Sequence, residues 1–552
     1  MKTFAATAIF QVRVLPRWRM FSNVRRMSRM AEALAEAQKS SNSPTQLTFE
    51  AIGLQPHLAS AVRAAFPKVK FPTATQAELI PAIENKKDVI LQDEPGSGKT
   101  LSLVLAALNK PRLRYSDTGK QSVTTLFLVP HRDLALQIRH WIQRITEHSE
   151  SPPPLEEVAQ VLLRDGNMHL ESGMQLLSET PPHVLIATPA GLLDVLKKGG
   201  NNFIDFSRVS AVVVDEVDYL IETVPALHGK LRTKVQKRIE KHPGPARELL
   251  DIIYSKRKKF TSRNREEFVD EPYLTPQLIL SSATVRRHLK DYFFGEGGYL
   301  KWDAVKVRGR VLALHEKQVL AASATHTNIS HHVLVVSDES IENIPGALEG
   351  RVEAGEIASP ASSDESEEPF PAPVKTEAEQ EREMVFSMTP SPYNQNSLEA
   401  VAAAFALYVP SVALFIIPGG GSIHRAVYDL RALGVNALDL DMLKEDKGRL
   451  HLLSGGAETV KTTPTLLVTT VAAMRGLDLP ELQHLFILGT QELEGDQVTS
   501  RTLDSYIHMA GRVGRFGKKG TVISVIEPSQ GPKMTKILGK LGIPAVKLKQ
   551  FP

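Results

Sequence analysis

The sequence predicts an α/β protein with two domains in tandem, each a parallel sheet covered by helices on both faces. Length is the first reason: 552 residues exceed one ordinary core, at roughly 150 residues per domain. The second is the recurrence of short, unbroken apolar runs, each followed by a turn and a helical pattern, as strands buried on both faces read. Third, these runs form two series with an acidic, Pro- and Ser-rich stretch between them. At 42% hydrophobic and 23% charged, the composition is that of a soluble globular chain and excludes wholesale disorder. The absence of cysteine excludes disulfides, thiolate zinc sites, iron–sulfur clusters and cysteine nucleophiles.

Taken in order, the first 31 residues carry seven basic and no acidic groups, with Phe, Ile, Val, Leu and Trp scattered between the arginines. That is the make-up of a mitochondrial transit peptide; a basic arm that touches nucleic acid is the other reading, and composition favours import. Residues 1–44 are therefore expected to be a presequence and disordered N-terminus, and the mitochondrial matrix the destination.

A first domain is expected over residues 45–310, with strands at 88–92, 125–129, 183–187, 209–214 and 277–281. Between the last two strands Lys256, Arg257, Lys258, Lys259, Arg263 and Arg265 cluster, which reads equally as a phosphate grip or a solvated face. A second domain is expected over 311–552, with strands at 412–417, 465–469, 484–488 and 521–526. Residues 338–392 interrupt it, and ten acidic against three basic groups in 351–383 give the composition of a disordered insertion. The uncharged run 400–417 reaches the lower limit for a bilayer span, but Pro410 and Ser411 divide it. A helix, a turn and a buried strand fit better, so no membrane insertion is expected. His326, His331 and His332 lack carboxylates at metal-ligand spacing and read as the approach to a strand. Lysines 533, 536, 540, 547 and 549 read as a solvated helix or an RNA-brushing face.

The sharpest local signal is the apolar run 88–92, then Gly96-Ser-Gly-Lys-Thr100, then a helical pattern over 101–108. A strand, a glycine loop and a helix N-terminus surround phosphate oxygens with backbone N–H groups. Gly96, Ser97 and Gly98 would form the cradle, Lys99 would reach the outer phosphates, and the Thr100 hydroxyl would ligate Mg²⁺. Farther along, the strand 209–214 ends in Asp215-Glu216-Val217-Asp218. Carboxylates at the C-terminal end of such a strand sit near the phosphate loop. Asp215 would hold Mg²⁺ through water, and Glu216 would orient or deprotonate an attacking water. ATP and Mg²⁺ are the expected ligands.

These motifs and their order resemble those of DEAD-box RNA helicases across roughly residues 49–527, and most of all the divergent mitochondrial members of fungi. Pro72-Thr-Ala-Thr-Gln76 is similar to the family's Q motif, which implies that Gln76 reads adenine. Pro130-His-Arg132 resembles motif Ia and Thr188-Pro189 motif Ib, which implies RNA contacts. Ser282-Ala-Thr284 resembles motif III, which couples hydrolysis to strand separation through Asp218. Residues 413–417 resemble motif IV. Thr470 to Asp478 resembles motif V, implying RNA contacts at Thr470 and Arg475 and a ribose contact at Asp478. His508-Met-Ala-Gly-Arg512, continuing to Arg515, resembles motif VI, implying that Arg512 and Arg515 are arginine fingers and that His508 belongs to the coupling set.

By that resemblance the fold is two RecA-like domains. The function implied is ATP-dependent RNA helicase activity in mitochondrial RNA metabolism or ribosome assembly, by a monomer that contacts RNA backbone and 2′-hydroxyls. Ribosomal assembly intermediates are the partners this resemblance implies.

Departures stand beside the matches. Asp93 and Pro95 occupy the start of the phosphate loop, and Ala190-Gly191 replaces a usual Gly-Arg, removing a cation. Val471 and Met509 stand where Asp and Arg are usual. Val69 takes the place of the ring that stacks on adenine, with Phe66 or Phe71 as substitutes. The alternative function is an ATP-gated RNA clamp or assembly scaffold with little turnover.

Overall fold

The computed structural model describes residues 47–67, 69–93, 97–113, 121–164, 166–200, 204–224, 230–255, 257, 275–309, 329–349, 377–440, 464–474, 482–490, 498, 500–514 and 519–552. They form two lobes, each around a seven-stranded sheet. In the first lobe the strands are β1 Val89–Gln92, β2 Thr125–Leu128, β3 Ala159–Leu162, β4 Val184–Ala187, β5 Ala211–Val214, β6 Gln277–Ser282 and β7 Val305–Arg308. Their spatial order is β3-β4-β2-β5-β6-β1-β7, and every pairing is parallel. The second lobe holds β8 Ile329–Val336, β9 Ile341–Asn343, β10 Val412–Ile417, β11 Ala437–Asp439, β12 Thr465–Thr470, β13 His484–Leu488 and β14 Gly520–Ile526. Their order is β11-β12-β10-β13-β14-β8-β9, parallel except for the β8–β9 hairpin.

Alternate side chains of each central strand enter opposite cores, which is why these strands read as continuous apolar runs. Val89, Leu91, Phe127, Val184 and Ile186 pack on one side of the first sheet; Ile90, Leu126, Leu128 and Leu185 pack on the other. In the second sheet Leu414 and Ile416 enter one core, Phe415 and Ile417 the other. Because the strands are parallel, the segment after each one emerges at a common edge, where ligands bind in open α/β sheets.

The run 400–417 divides as its proline predicts, into a helix Gln395–Tyr408 and strand β10. Among the described residues no helix is long and apolar enough to cross a membrane. The expected insertion 338–392 is too wide and is corrected here. Residues 341–343 form β9, and Glu377–Met388 is a helix. Asn343 fixes the first of these by donating to the carbonyls of Leu548, Phe551 and Pro552 and accepting from the Leu548 amide. Arg425 fixes the second, donating to Phe386 O and Thr389 O. Residues 350–376, like the expected presequence, lie outside the described residues. His331 and His332 belong to β8, where one ring pairs with the Tyr506 hydroxyl at 2.9 Å and the other with Val546 O at 2.7 Å.

Candidate functional site

The phosphate loop runs from β1 into the helix Lys99–Asn109. Gly98 turns the chain with φ of 87°, a left-handed conformation suited to glycine. A Cβ there would stand 3.3 Å from the Gln76 amide nitrogen, so the segment carrying Gln76 lies directly against the loop. Gln76 also closes a capping box with Thr73 at the start of its own helix, and it is buried. Lys99 is buried, and its ammonium donates to Asp93 O at 2.8 Å. Burial pulls its pKa down, while Glu216, Asp93 and Asp215 oppose that pull and Arg512 adds to it.

The loop's other wall comes from β5, two places away in the sheet. Thr100 Oγ1 donates to Asp215 Oδ2 at 2.8 Å, placing two hard oxygen donors together as Mg²⁺ requires. Burial and the neighbouring Glu216 push Asp215 up to about 6, against the hydrogen bonds from Thr100 and Ser281 and the charge of Lys99. Glu216 turns the chain out of β5 with φ of 51°, one of two non-glycine residues at positive φ among those described. Such backbone costs about 1–3 kcal/mol and persists where surrounding contacts impose it. Ser97 Oγ and Glu216 Oε2 are buried without a hydrogen-bond partner among the described residues. A triphosphate with its metal fits these atoms: the Ser97 hydroxyl can donate to a phosphate oxygen, and Glu216 Oε2 can accept from a water beside it.

Asp218 has both oxygens engaged, accepting from Ser282 Oγ and Thr284 Oγ1 at 2.6 Å each. The second lobe reaches the same group. His508, on the helix Ser500–Ala510, inserts its ring between two carboxylates: Nδ1 lies 3.9 Å from Glu216 and Nε2 3.5 Å from Asp218. Arg512 is buried, and its Nε donates to His508 O at 3.0 Å. Its charge is felt at Lys99, so a guanidinium from one lobe approaches the phosphate loop of the other. The expected residues Gly96, Arg475, Asp478 and Arg515 lie outside the described residues, as does Pro95.

The Asp93 carboxylate is held from outside the loop, although its charge still acts on Lys99. It accepts from Thr75 Oγ1 and seats against Gly309, where a Cβ would meet it at 1.8 Å. Of the two candidate adenine platforms, Phe66 lies under Arg144, with 4.8 Å between guanidinium carbon and ring centroid, whereas Phe71 is exposed. Arg132 opens the helix Arg132–Glu147 after β2, and Thr188 caps the helix Pro189–Gly199 after β4. Thr470 ends β12, and the short helix Val471–Met474 that follows packs on the helix Arg132–Glu147 of the first lobe.

Sequence reasoning missed one cross-lobe contact. Arg286 donates through Nε and Nη2 to Asp504 Oδ2 at 2.9 and 2.5 Å. Asp504 lies one helical turn before His508, and Arg286 two residues after Thr284, so spacing from the motifs was the available signal. Both side chains are half-buried or better, which lifts the pair above the small worth of exposed ion pairs. Arg286→Ala is expected to weaken ATP-dependent lobe closure about tenfold, a loss near 1.4 kcal/mol, measurable by fluorescence transfer between lobe-specific dyes. Unchanged transfer would show that the pair contributes nothing to closure.

Comparison with known proteins agrees with this geometry. The DEAD/DEAH box helicase family matches residues 73–292, and the helicase conserved C-terminal domain matches residues 423–517, together more than half of the chain. The chain belongs to the DEAD-box helicases. It is 23% identical over 515 residues to the ATP-dependent RNA helicase mak5 of Aspergillus terreus, covering 91% of this chain and 56% of that protein. It is 31% identical over 191 residues to the probable ATP-dependent RNA helicase DDX28 of Mus musculus, covering 34% and 33%. The chain thus spans little more than half the length of the mak5 protein. Among solved structures, Mss116p bound to ssRNA and AMP-PNP matches with a TM-score of 0.56 at 18% identity, over 92% of this chain and 80% of that one. S. cerevisiae Dbp5 bound to RNA and ADP BeF3 matches with 0.52 at 18%, over 91% and 95%. These likenesses establish two RecA-like lobes.

Proposed function

We propose that this DEAD-box helicase couples ATP hydrolysis to local remodelling of RNA, acting as a monomer because one chain supplies both halves of its site. The observation that carries the reading is His508 of the second lobe lodged between Glu216 and Asp218 of the first. A site shared in this way is complete only when the lobes close. Thr100 and Asp215 would hold Mg²⁺, which when bound supplies positive charge to the phosphate oxygens. Lys99 binds the outer phosphates, and Glu216 orients the attacking water and accepts its proton. Arg512, with Arg515, neutralises charge that develops on the transferred phosphoryl group, an effect worth about 10³–10⁵ in rate. Asp218, with Ser282, Thr284 and His508, ties lobe closure to the acids of the site. Gln76 contacts adenine, Asp478 the ribose. Pro130, Arg132, Thr188, Pro189, Thr470 and Arg475 line the RNA track, with Arg132 and Arg475 giving the charge for sequence-tolerant backbone contacts.

The test is ATP turnover with RNA, with DNA of the same sequence, and with neither. Stimulation by RNA alone is expected; equal stimulation by DNA would overturn the reading. The contact of Asp93 with Thr75 favours a working hydrolase over a clamp with vestigial turnover, because that carboxylate already has a donor and its charge helps keep Lys99 protonated. The composition of residues 1–31 and the resemblance to mitochondrial members support a matrix location, with RNA or ribosome-assembly intermediates as substrates. Residues 1–44 fused to a reporter should direct it into isolated mitochondria, and a reporter left outside would refute that location.

A further inference from the structure

In the first sheet the registered row Leu162, Ala187, Leu128 and Val214 marks adjacent strand ends of β3, β4, β2 and β5. Asp215 follows the last of these, Pro130 lies two residues past Leu128, and Thr188 lies one past Ala187. Arg164 lies two residues past Leu162. Adjacent strands stand about 4.8 Å apart, so one edge runs from the nucleotide site through Pro130 and Thr188 to Arg164 over roughly 14 Å.

Position 191, one turn into the helix after Thr188, is tightly packed. A Cβ on Gly191 would meet Arg164 N and Leu163 C at 3.0 Å and Thr188 Oγ1 at 3.1 Å. The segment after β3 therefore crosses over the first turn of that helix, and a side chain at position 191 would require this segment to give by a few tenths of an ångström. What the crossing segment brings is an arginine. Arg164 is 67% exposed, and its Nε and Nη2 donate to Asp194 Oδ2 and Oδ1 at 2.6 and 3.1 Å. A guanidinium has five N–H donors. The fork on Asp194 uses two and fixes the plane, leaving Nη1 and one Nη2 hydrogen for an outside acceptor. No other contact of Arg164 competes for them among the described residues. The planar fork is the geometry that recognises phosphate, and holding it in advance reduces the ordering cost on binding.

We propose that Arg164, held by Asp194, is the phosphate-binding cation at the outer end of the RNA track, in place of a cation at position 191. The proposal rests on the reading of this edge as an RNA track and names a residue that the family motifs do not supply. It makes position 164 a backbone contact, blind to base sequence.

The test uses the full chain with AMP-PNP and a fluorescent single-stranded RNA, titrated at several salt concentrations. Each phosphate neutralised contributes about 0.7 to the slope of log affinity against log salt for single strands. Arg164→Ala is expected to weaken binding roughly tenfold at low salt and to lower that slope by about 0.7, with an unchanged unfolding midpoint. Arg164→Lys should keep the slope and recover part of the affinity, since it keeps charge without the fork. Lys87→Ala removes a cation from the opposite edge, before β1, where Lys87 pairs with Asp303, and should change neither quantity. If wild-type protein binds RNA and Arg164→Ala leaves the slope intact, or if Lys87→Ala matches Arg164→Ala, the assignment is overturned. If wild-type protein binds no RNA, the RNA-track reading itself fails.

Discussion

Glu216→Gln should cut RNA-stimulated ATP turnover by about 10²–10⁴ while leaving RNA affinity in the presence of ATP within twofold. The substitution keeps the shape of the side chain and removes its charge and basicity. Glu216 Oε2 is buried, with the His508 ring 3.9 Å away, and has no hydrogen-bond partner among the described residues, so a water that reaches it breaks no protein hydrogen bond. Its charge also acts on both neighbours. Glu216 is the foremost group holding Lys99 in its charged form, and next to burial it is the main reason Asp215 is pushed up. Losing that charge lowers the pKa of Asp215, so the metal-holding carboxylate is ionised at least as readily in the variant. Nucleotide binding should therefore persist, and the closed, RNA-bound state should accumulate. Steady-state phosphate release and fluorescence anisotropy read the two halves separately. Full turnover in the variant would remove Glu216 from the role of base. Lost turnover with intact function in a cell dependent on this protein would favour the clamp.

How much of this was legible in the sequence depended on whether contacts were local and strands were central. The loop Gly96–Thr100 and the acids after β5 follow apolar runs at fixed spacing, so they were read directly. All nine strands expected from apolar runs are present. Of the other five, β8 was read only as the strand that His331 and His332 approach, and β3, β7, β9 and β11, which left no signal, are the outermost strands of the two sheets. An edge strand is covered on fewer sides, and Val-Lys-Val-Arg in β7 alternates where a central strand would not. The placement of His508 between two carboxylates, and of Arg286 on Asp504, joins residues more than 200 positions apart. No periodicity encodes such pairings; they depend on how two independently folded sheets meet. Asp93 shows the same limit at short range. Its sequence position suggested charge beside phosphate, but a threonine on the preceding helix and a glycine after β7 hold it from outside the loop.

Arg257→Ala should destabilise the first lobe by about 3–5 kcal/mol, lowering its unfolding midpoint by roughly 10 °C without altering the salt dependence of RNA binding. The basic cluster around this residue suggested either a phosphate grip or a solvated face. Arg257 is neither, being 5% exposed; its neighbours Lys256, Lys258, Lys259, Arg263 and Arg265 lie outside the described residues. Its guanidinium donates to Asp88 Oδ2 at 2.7 Å, Pro276 O at 2.9 Å, Thr275 Oγ1 at 3.2 Å and Tyr299 O, and lies 4.6 Å from the Tyr254 ring centroid. Asp88, fully buried at the start of β1, also accepts from the amides of Leu278 in β6 and Lys301 before β7. One ion pair thus joins the three strands beside the phosphate loop. Removing Arg257 leaves the Asp88 carboxylate in the interior with two amides and without its ion-pair partner, and buried charges that lose their partners are costly. Asp88→Asn combined with Arg257→Leu removes both charges and should recover part of the loss, which distinguishes an uncompensated charge from a simple packing defect. A variant that melts normally but binds RNA weakly would return Arg257 to the phosphate grip.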